Sequence, residues 1–123
     1  MIEGTVNESL EVTISLILHS SSGEEHGIEA IVDTGFTGHL TLPLELIEAM
    51  ALPWLSRGHA LLADGSLHVF DVYIGTLTWN GQVLTVEVDE ADTDPLVGME
   101  LLRNHSLSVD VVEDGPVRIE ALA

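Results

Sequence analysis

Three Xaa-Gly pairs, Asp64-Gly65, Asn80-Gly81 and Asp114-Gly115, punctuate the second half of this chain and constrain its fold more than any other feature. A two-residue hairpin turn places both central residues at positive φ, which Asn-Gly and Asp-Gly tolerate best. Each pair lies between apolar runs of strand length. Asp64-Gly65 separates His59–Ala63 from Ser66–Ile74, and Asn80-Gly81 separates Val72–Trp79 from Gln82–Val88. Asp114-Gly115 separates Leu107–Val112 from Val117–Leu122. Short strands and turns at such regular spacing predict an all-β chain, a small barrel or sandwich.

The first half adds a looser hairpin. Leu10–Leu18 alternates apolar and polar residues before turning wholly apolar, a polar loop runs from Ser20 to Gly27, and Ile28–Val32 returns. Leu40-Thr41-Leu42 is a further short strand. Pro43 then stands at a first helical position, Leu44, Leu46, Ile47, Met50 and Ala51 recur at helical spacing up to Leu52, and Pro53 follows. This predicts one short helix over Leu44–Leu52, and Leu96–Leu102 reads as an apolar stretch that turns briefly helical. No repeat or linker divides the 123 residues, so one domain is expected over 1–123.

Composition narrows the function classes. The chain is 46% hydrophobic but only 4% aromatic, so its core must be built mainly of Val, Ile and Leu. It has no cysteine, which excludes a disulfide framework and a thiolate metal site. Asp and Glu number 21 against 3 Lys and Arg, a formal charge of −18 that repels phosphate backbones and argues against nucleic acid as a partner. The acids read as a solubility device on solvent faces, since no local cluster marks a patch for steering a cationic substrate. No run approaches the roughly 18 apolar residues of a membrane span, and Met1–Gly4 carries no basic leader, so a cytoplasmic protein without a membrane partner is expected.

The residues that carry chemistry begin at Ile31-Val32-Asp33-Thr34-Gly35. A carboxylate placed straight after an apolar strand needs a stabilising environment. An Asx turn at a strand end is the plain structural account, for which Asp, Thr and Gly are ordinary. The wider order adds to this. Asp-Thr-Gly is followed by a Gly-containing turn and Leu40-Thr41-Leu42-Pro43, then by an Asp-Gly-tipped hairpin, then by Leu96-Val97-Gly98 opening a short helix.

That ordered set, from about Leu10 to Leu122, resembles the retropepsin-like aspartic proteases of the bacterial single-domain type. The resemblance implies a closed β-barrel with one or two short helices. It also implies peptide-bond hydrolysis without metal or other cofactor, on a peptide or protein substrate. Asp33 takes the place of the catalytic aspartate. Thr34 matches the hydroxyl residue that ties two active-site loops together, and Gly35 the glycine that lets the backbone approach closely. Leu96, Val97 and Gly98 match the apolar-apolar-Gly element that crosses near the aspartate. Ala63, Asp64, Gly65 and Ser66 form the candidate tip of the flap over the substrate. Because the chain holds one Asp-Thr-Gly, the resemblance implies a homodimer whose twofold axis brings Asp33 against its copy.

This chain departs from the family where relatives have Ala or Ser after the loop glycine. Here Phe36 follows, then Thr37 and Gly38, and Phe36 offers no hydroxyl to the carboxylate. The flap tip also lacks the glycine-rich sequence of viral enzymes. Six histidines (His19, His26, His39, His59, His68 and His105) show no paired metal-ligand spacing. Asp89–Asp94 has part of a calcium-loop pattern without its central glycine or closing Glu, and reads as a solvated loop. Two other readings stand beside the enzyme: a non-catalytic dimer of the same fold that binds peptides or proteins, and an unrelated β interaction module.

Overall fold

The computed structural model describes residues 1–123. Ten strands and two helices follow as β1 (Ile2–Val6), β2 (Val12–His19), β3 (Glu25–Val32), β4 (Leu40–Leu42), α1 (Leu44–Ala49), β5 (Trp54–Leu61), β6 (Leu67–Trp79), β7 (Gln82–Glu90), β8 (Leu96–Val97), α2 (Met99–Leu102), β9 (His105–Val109) and β10 (Pro116–Ala121). The chain is mostly β, as the turn spacing predicts.

Strands neighbour one another in the order β5-β6-β7-β4-β8-β3-β2-β1-β10-β9. A further antiparallel contact, Ile17↔Thr78 to His19↔Thr76, joins β2 to β6 and so closes the run from β6 to β2 on itself. The expected closed barrel forms only in part. The cause is the length of β6, whose later residues from Val72 pair with β7 in the ring while Leu67–Asp71 continue beyond it and pair only with β5. Strands β1, β10 and β9 extend the sheet on the other side. Side-chain alternation then selects the core. Ile14, Leu16 and Leu18 of β2, Leu77 and Trp79 of β6, and Val86 and Val88 of β7 are buried together with Leu40, Leu42 and Val97.

The turns divide in their agreement with sequence. Asn80 and Gly81 both take positive φ, and Trp79 pairs directly with Gln82, as a two-residue hairpin requires. At Asp64-Gly65 only Gly65 is left-handed, and the loop widens so that the Leu62 N–H donates to the Ser66 carbonyl across it. The third pair does not make a two-residue turn. Strand β9 stops at Val109, and Val111 and Val112, expected in the strand, are exposed in a longer loop. That loop is held to β1 by hydrogen bonds from the Val6 N–H to the Gly115 carbonyl and from the Asp114 N–H to the Val6 carbonyl.

Helix α1 ends earlier than the apolar spacing suggests. Ala51 takes φ +52, and the Leu52 N–H donates back to the Ile47 carbonyl at 3.1 Å, a left-handed closure of the helix end. Strand β1 lies outside the elements expected from sequence, although Ile2-Glu3-Gly4-Thr5-Val6 alternates. Gly4 is needed there because a Cβ would fall 2.0 Å from the Thr13 carbonyl oxygen of β2.

Leu40 sits at the centre of this arrangement, paired with Val88 of β7 on one side and Val97 of β8 on the other, with no exposed surface. Leu40→Ala is expected to lower unfolding stability by about 2–5 kcal/mol, the range for truncating a buried leucine. Urea denaturation checks this through the transition midpoint at unchanged slope.

Candidate active site

Asp33 stands one residue beyond the end of β3. Its N–H donates to the Val97 carbonyl at 2.9 Å, and its own carbonyl accepts the Phe36 N–H at 3.1 Å. Its Oδ1 accepts the Gly35 N–H at 2.9 Å. This is the Asx turn that the residue types favour. It also has a chemical consequence: one carboxylate oxygen is tied to the loop while the side chain stays half-exposed. Thr34 and Gly35 are exposed beside it.

The loop is fixed by the strand that crosses it. Strand β8 runs between β3, to which it is parallel, and β4, to which it is antiparallel. Beyond it the Gly98 N–H donates to the His39 carbonyl at 3.0 Å, the Met99 N–H to that of Phe36 at 2.8 Å, and the Glu100 N–H to that of Gly38 at 3.1 Å. Gly98 has ordinary extended backbone, so close packing and not conformation demands the glycine. A Cβ there would lie 2.2 Å from the Gly38 carbonyl oxygen and 2.5 Å from Phe36 Cδ2. Gly38 is equally tight, since its Cβ would meet Phe36 Cε1 and Cζ at 2.6 Å. The Phe36 ring thus lies across two glycines, which is how the loop accommodates a large side chain. The segment Leu96-Val97-Gly98 lies beside Asp33, through the pairing of β8 with β3 and the bond from the Asp33 N–H to the Val97 carbonyl.

Two recesses flank the loop. One, of about 490 Å³, is lined by Asp33 and Thr34 with Leu10, Val12, Asp94 and Leu96 among others. The second, of about 410 Å³, is lined by Phe36 and Gly38 together with Thr41, His68, Phe70 and Asp89. A groove of about 460 Å³ beside Trp79 and Arg103 contains neither Asp33 nor the loop residues next to it. The candidate flap tip Ala63–Ser66 is fully exposed and lines neither recess. Asp64 Oδ1 accepts the Ser66 N–H and hydroxyl, which holds the Asp64 carboxyl below its usual value. The middle of the same hairpin, at Ala60, His68 and Phe70, is the part that reaches the Asp33 loop.

Asp89, expected in a solvated loop, is instead a strand residue. Parallel pairing with β4 (Thr41↔Asp89) carries β7 on to Glu90 and leaves the Asp89 side chain half-buried. Burial, helped by the Glu87 carboxylate and opposed by His39, pushes its carboxyl above the usual 3.8. Sequence gave no sign of this, because an acid next to Glu90, Asp92 and Asp94 looks like surface. No three His, Asp or Glu side chains converge as metal ligands. No helix is long and apolar enough to cross a membrane.

No protein-family model matches this chain, and no curated protein sequence does. Among solved structures, the fold is similar to the crystal structure of a retropepsin-like aspartic protease from Rickettsia conorii. The TM-score is 0.60, with 17% sequence identity over 98% of this chain and 90% of that one. At this identity the likeness shows a retropepsin-like fold and nothing finer.

Two outcomes follow from this geometry. Gly98→Ala is expected to destabilise the chain by about 1–3 kcal/mol through overpacking against Gly38 and Phe36, read by thermal or urea unfolding. For Asp89, the raised folded value means that the folded chain retains a proton the unfolded chain has released. Stability therefore falls as pH rises from 3.8 through the raised value. Asp89→Asn removes that penalty, and at pH 7 its Tm should lie above that of wild type. The gap should close well below pH 3.8, where the wild-type carboxyl is protonated in both states.

Proposed function

We propose that residues 1–123 form one retropepsin-like domain that acts as half of a homodimeric aspartic endopeptidase. The observation that carries this is Asp33: a half-exposed carboxylate, pinned by Val97 and Gly35 at a strand crossing and bordered by a recess on each side, in a retropepsin-like fold. One carboxylate cannot at the same moment be ionised, to take a proton from the attacking water, and protonated, to polarise the scissile carbonyl. A twofold axis through this loop supplies the second, from the partner's copy of the same residue. Exposed Thr34 is then available to bond across the axis, and exposed Leu61, Leu62 and Leu67 of the hairpin gain a partner surface.

Two carboxylates held face to face share one proton, because like charges at contact distance resist joint ionisation. The ionised member takes a proton from a water lying between them. The water oxygen attacks the scissile carbonyl, whose oxygen is polarised by the protonated member. Collapse of the tetrahedral intermediate expels the amine, which receives a proton from the pair. An extended peptide would lie under the β5–β6 hairpin, with alternate side chains entering the two recesses and its backbone bonded to strand edges.

The test is Asp33→Asn. Peptidase activity on a mixed peptide library should fall by about a thousandfold or more, with Tm and sedimentation behaviour unchanged. Dimers formed from one wild-type and one Asp33→Asn chain should be as inactive as the double variant, because each active site needs both aspartates. Peptide binding without hydrolysis in the wild type would favour the non-catalytic binding module. A monomeric, fully active chain would overturn the two-aspartate mechanism.

A further inference from the structure

We infer that the recess between β4, β7 and the β5–β6 hairpin is a subsite for a cationic side chain, Arg or Lys, of a bound peptide, with Asp89 and Thr41 receiving its charged head. This names a substrate class for the site above and rests on that reading only where cleavage is concerned.

The walls come first. Phe36 lies across Gly38 and Gly98. Phe70 lies across Gly58 in the same manner, since a Cβ on Gly58 would meet Phe70 Cε2 and Cζ at 2.5 Å. His68 stacks on Phe70 with ring centroids 6.0 Å apart at 23°. Direct cross-strand pairing puts Gly58 with Phe70 and Ala60 with His68 on one face of the hairpin. The recess is therefore lined by Phe36 from the Asp33 loop and by His68 and Phe70 from the hairpin, each phenyl ring lying over a glycine.

The floor is polar and unused. Thr41 is 5% exposed, lines the recess, and takes part in none of the chain's partly buried side-chain hydrogen bonds. Its strand partner Asp89 is half-buried, with neither a hydrogen bond nor an ion pair from within the chain. Glu90 lies beside it and accepts the Tyr73 hydroxyl at 3.3 Å. No Lys or Arg lines the slot. Arg57 faces Asp71 and Arg103 faces Glu100, while Arg118 lies in β10. The pressure that burial puts on the Asp89 carboxyl is answered inside the chain only by His39.

An occupant must match apolar sides and an anionic floor at once. A Lys or Arg side chain does so, with its alkyl stem against the aromatic walls and its head on the carboxylate and hydroxyl. A guanidinium also gains from the ring faces. An apolar side chain of the same length would fill the slot and leave Asp89 desolvated without a partner. An acidic one would meet Asp89 and Glu90 directly. A peptide is favoured over a free cation because Phe36, in this slot, is three residues from Asp33, which lines the neighbouring recess.

The experiment separates binding from cleavage. Blocked hexapeptides carrying Arg, Lys, citrulline or norleucine at each position in turn are titrated into the full Asp33→Asn chain at pH 7.5. About 0.3 M salt screens the long-range pull of the net charge. At one peptide position Arg or Lys should bind about tenfold more tightly than citrulline or norleucine, the scale of a hydrogen bond to a charged group. The amide NMR signals of Gly38 and Asp89 should shift. Adding Asp89→Asn should reduce that preference to within about twofold, and Thr41→Val, of equal volume, should lower it about threefold. Glu113→Gln, an exposed acid outside the slot, should leave it intact. No basic preference at any position, or one that survives both Asp89→Asn and Thr41→Val, overturns the inference. Wild-type chain is then given the same peptides. Binding preference with no peptide cut upholds the subsite and sinks the protease reading, whereas cleavage without basic preference does the reverse.

Discussion

The backbone of Gly98 lies against the carbonyl of Gly38, and the position of Asp33 depends on that contact. With β8 set between β3 and β4, three N–H groups that open α2 or precede it, those of Gly98, Met99 and Glu100, bond to carbonyls of the Phe36–His39 loop. Asp33 itself is bonded to Val97. The catalytic candidate is thus held by main-chain bonds from a segment some 65 positions away in sequence. Each such bond contributes only about 0.5–1.5 kcal/mol net. Their joint effect is positional: the loop cannot move unless β8 moves, and β8 is paired on both sides.

The same contact governs the side chains of the site. Removing Cβ at residues 38 and 98 creates the bed on which Phe36 lies, and removing it at residue 58 does the same for Phe70. Two aromatic walls then face a floor of Thr41 and Asp89. The partial closure of the barrel belongs to this design. Because β6 outruns the ring, its first half is free to form a hairpin with β5 that hangs over the loop. Asp89 illustrates the opposition between stability and binding, since a half-buried carboxylate without a partner weakens the folded state and leaves a charge available to a ligand.

Much of the architecture follows from local rules. Asn80-Gly81 makes the turn its chemistry demands, the β2–β3 hairpin follows its apolar alternation, and Pro43 begins α1. Where expectation and structure part, a distant contact is the reason. Asp114-Gly115 fails as a tight turn because that loop bonds to Val6, more than 100 residues away. Helix α1 is the exception, stopping at Ala49 for the local reason that Ala51 turns left-handed. Asp89 is drawn from an expected loop into a strand by its parallel partner Thr41.

The sequence by itself determined the β class, the Asx turn at Asp33 and the apolar-apolar-Gly segment, because each depends on neighbours a few residues apart. Resemblance to a known order of elements added the pairing of that turn with Leu96-Val97-Gly98. Only the tertiary structure decided what surrounds the carboxylate: that Phe36 is seated on glycines, that His68 and Phe70 of the hairpin reach the loop while Ala63–Ser66 do not, and that Asp89 lies on the floor of a slot. These are matters of strand register and of distances between backbones remote in sequence. A register shift of a single residue would turn Asp89 to the other face of the sheet, and nothing in its immediate neighbours fixes that register.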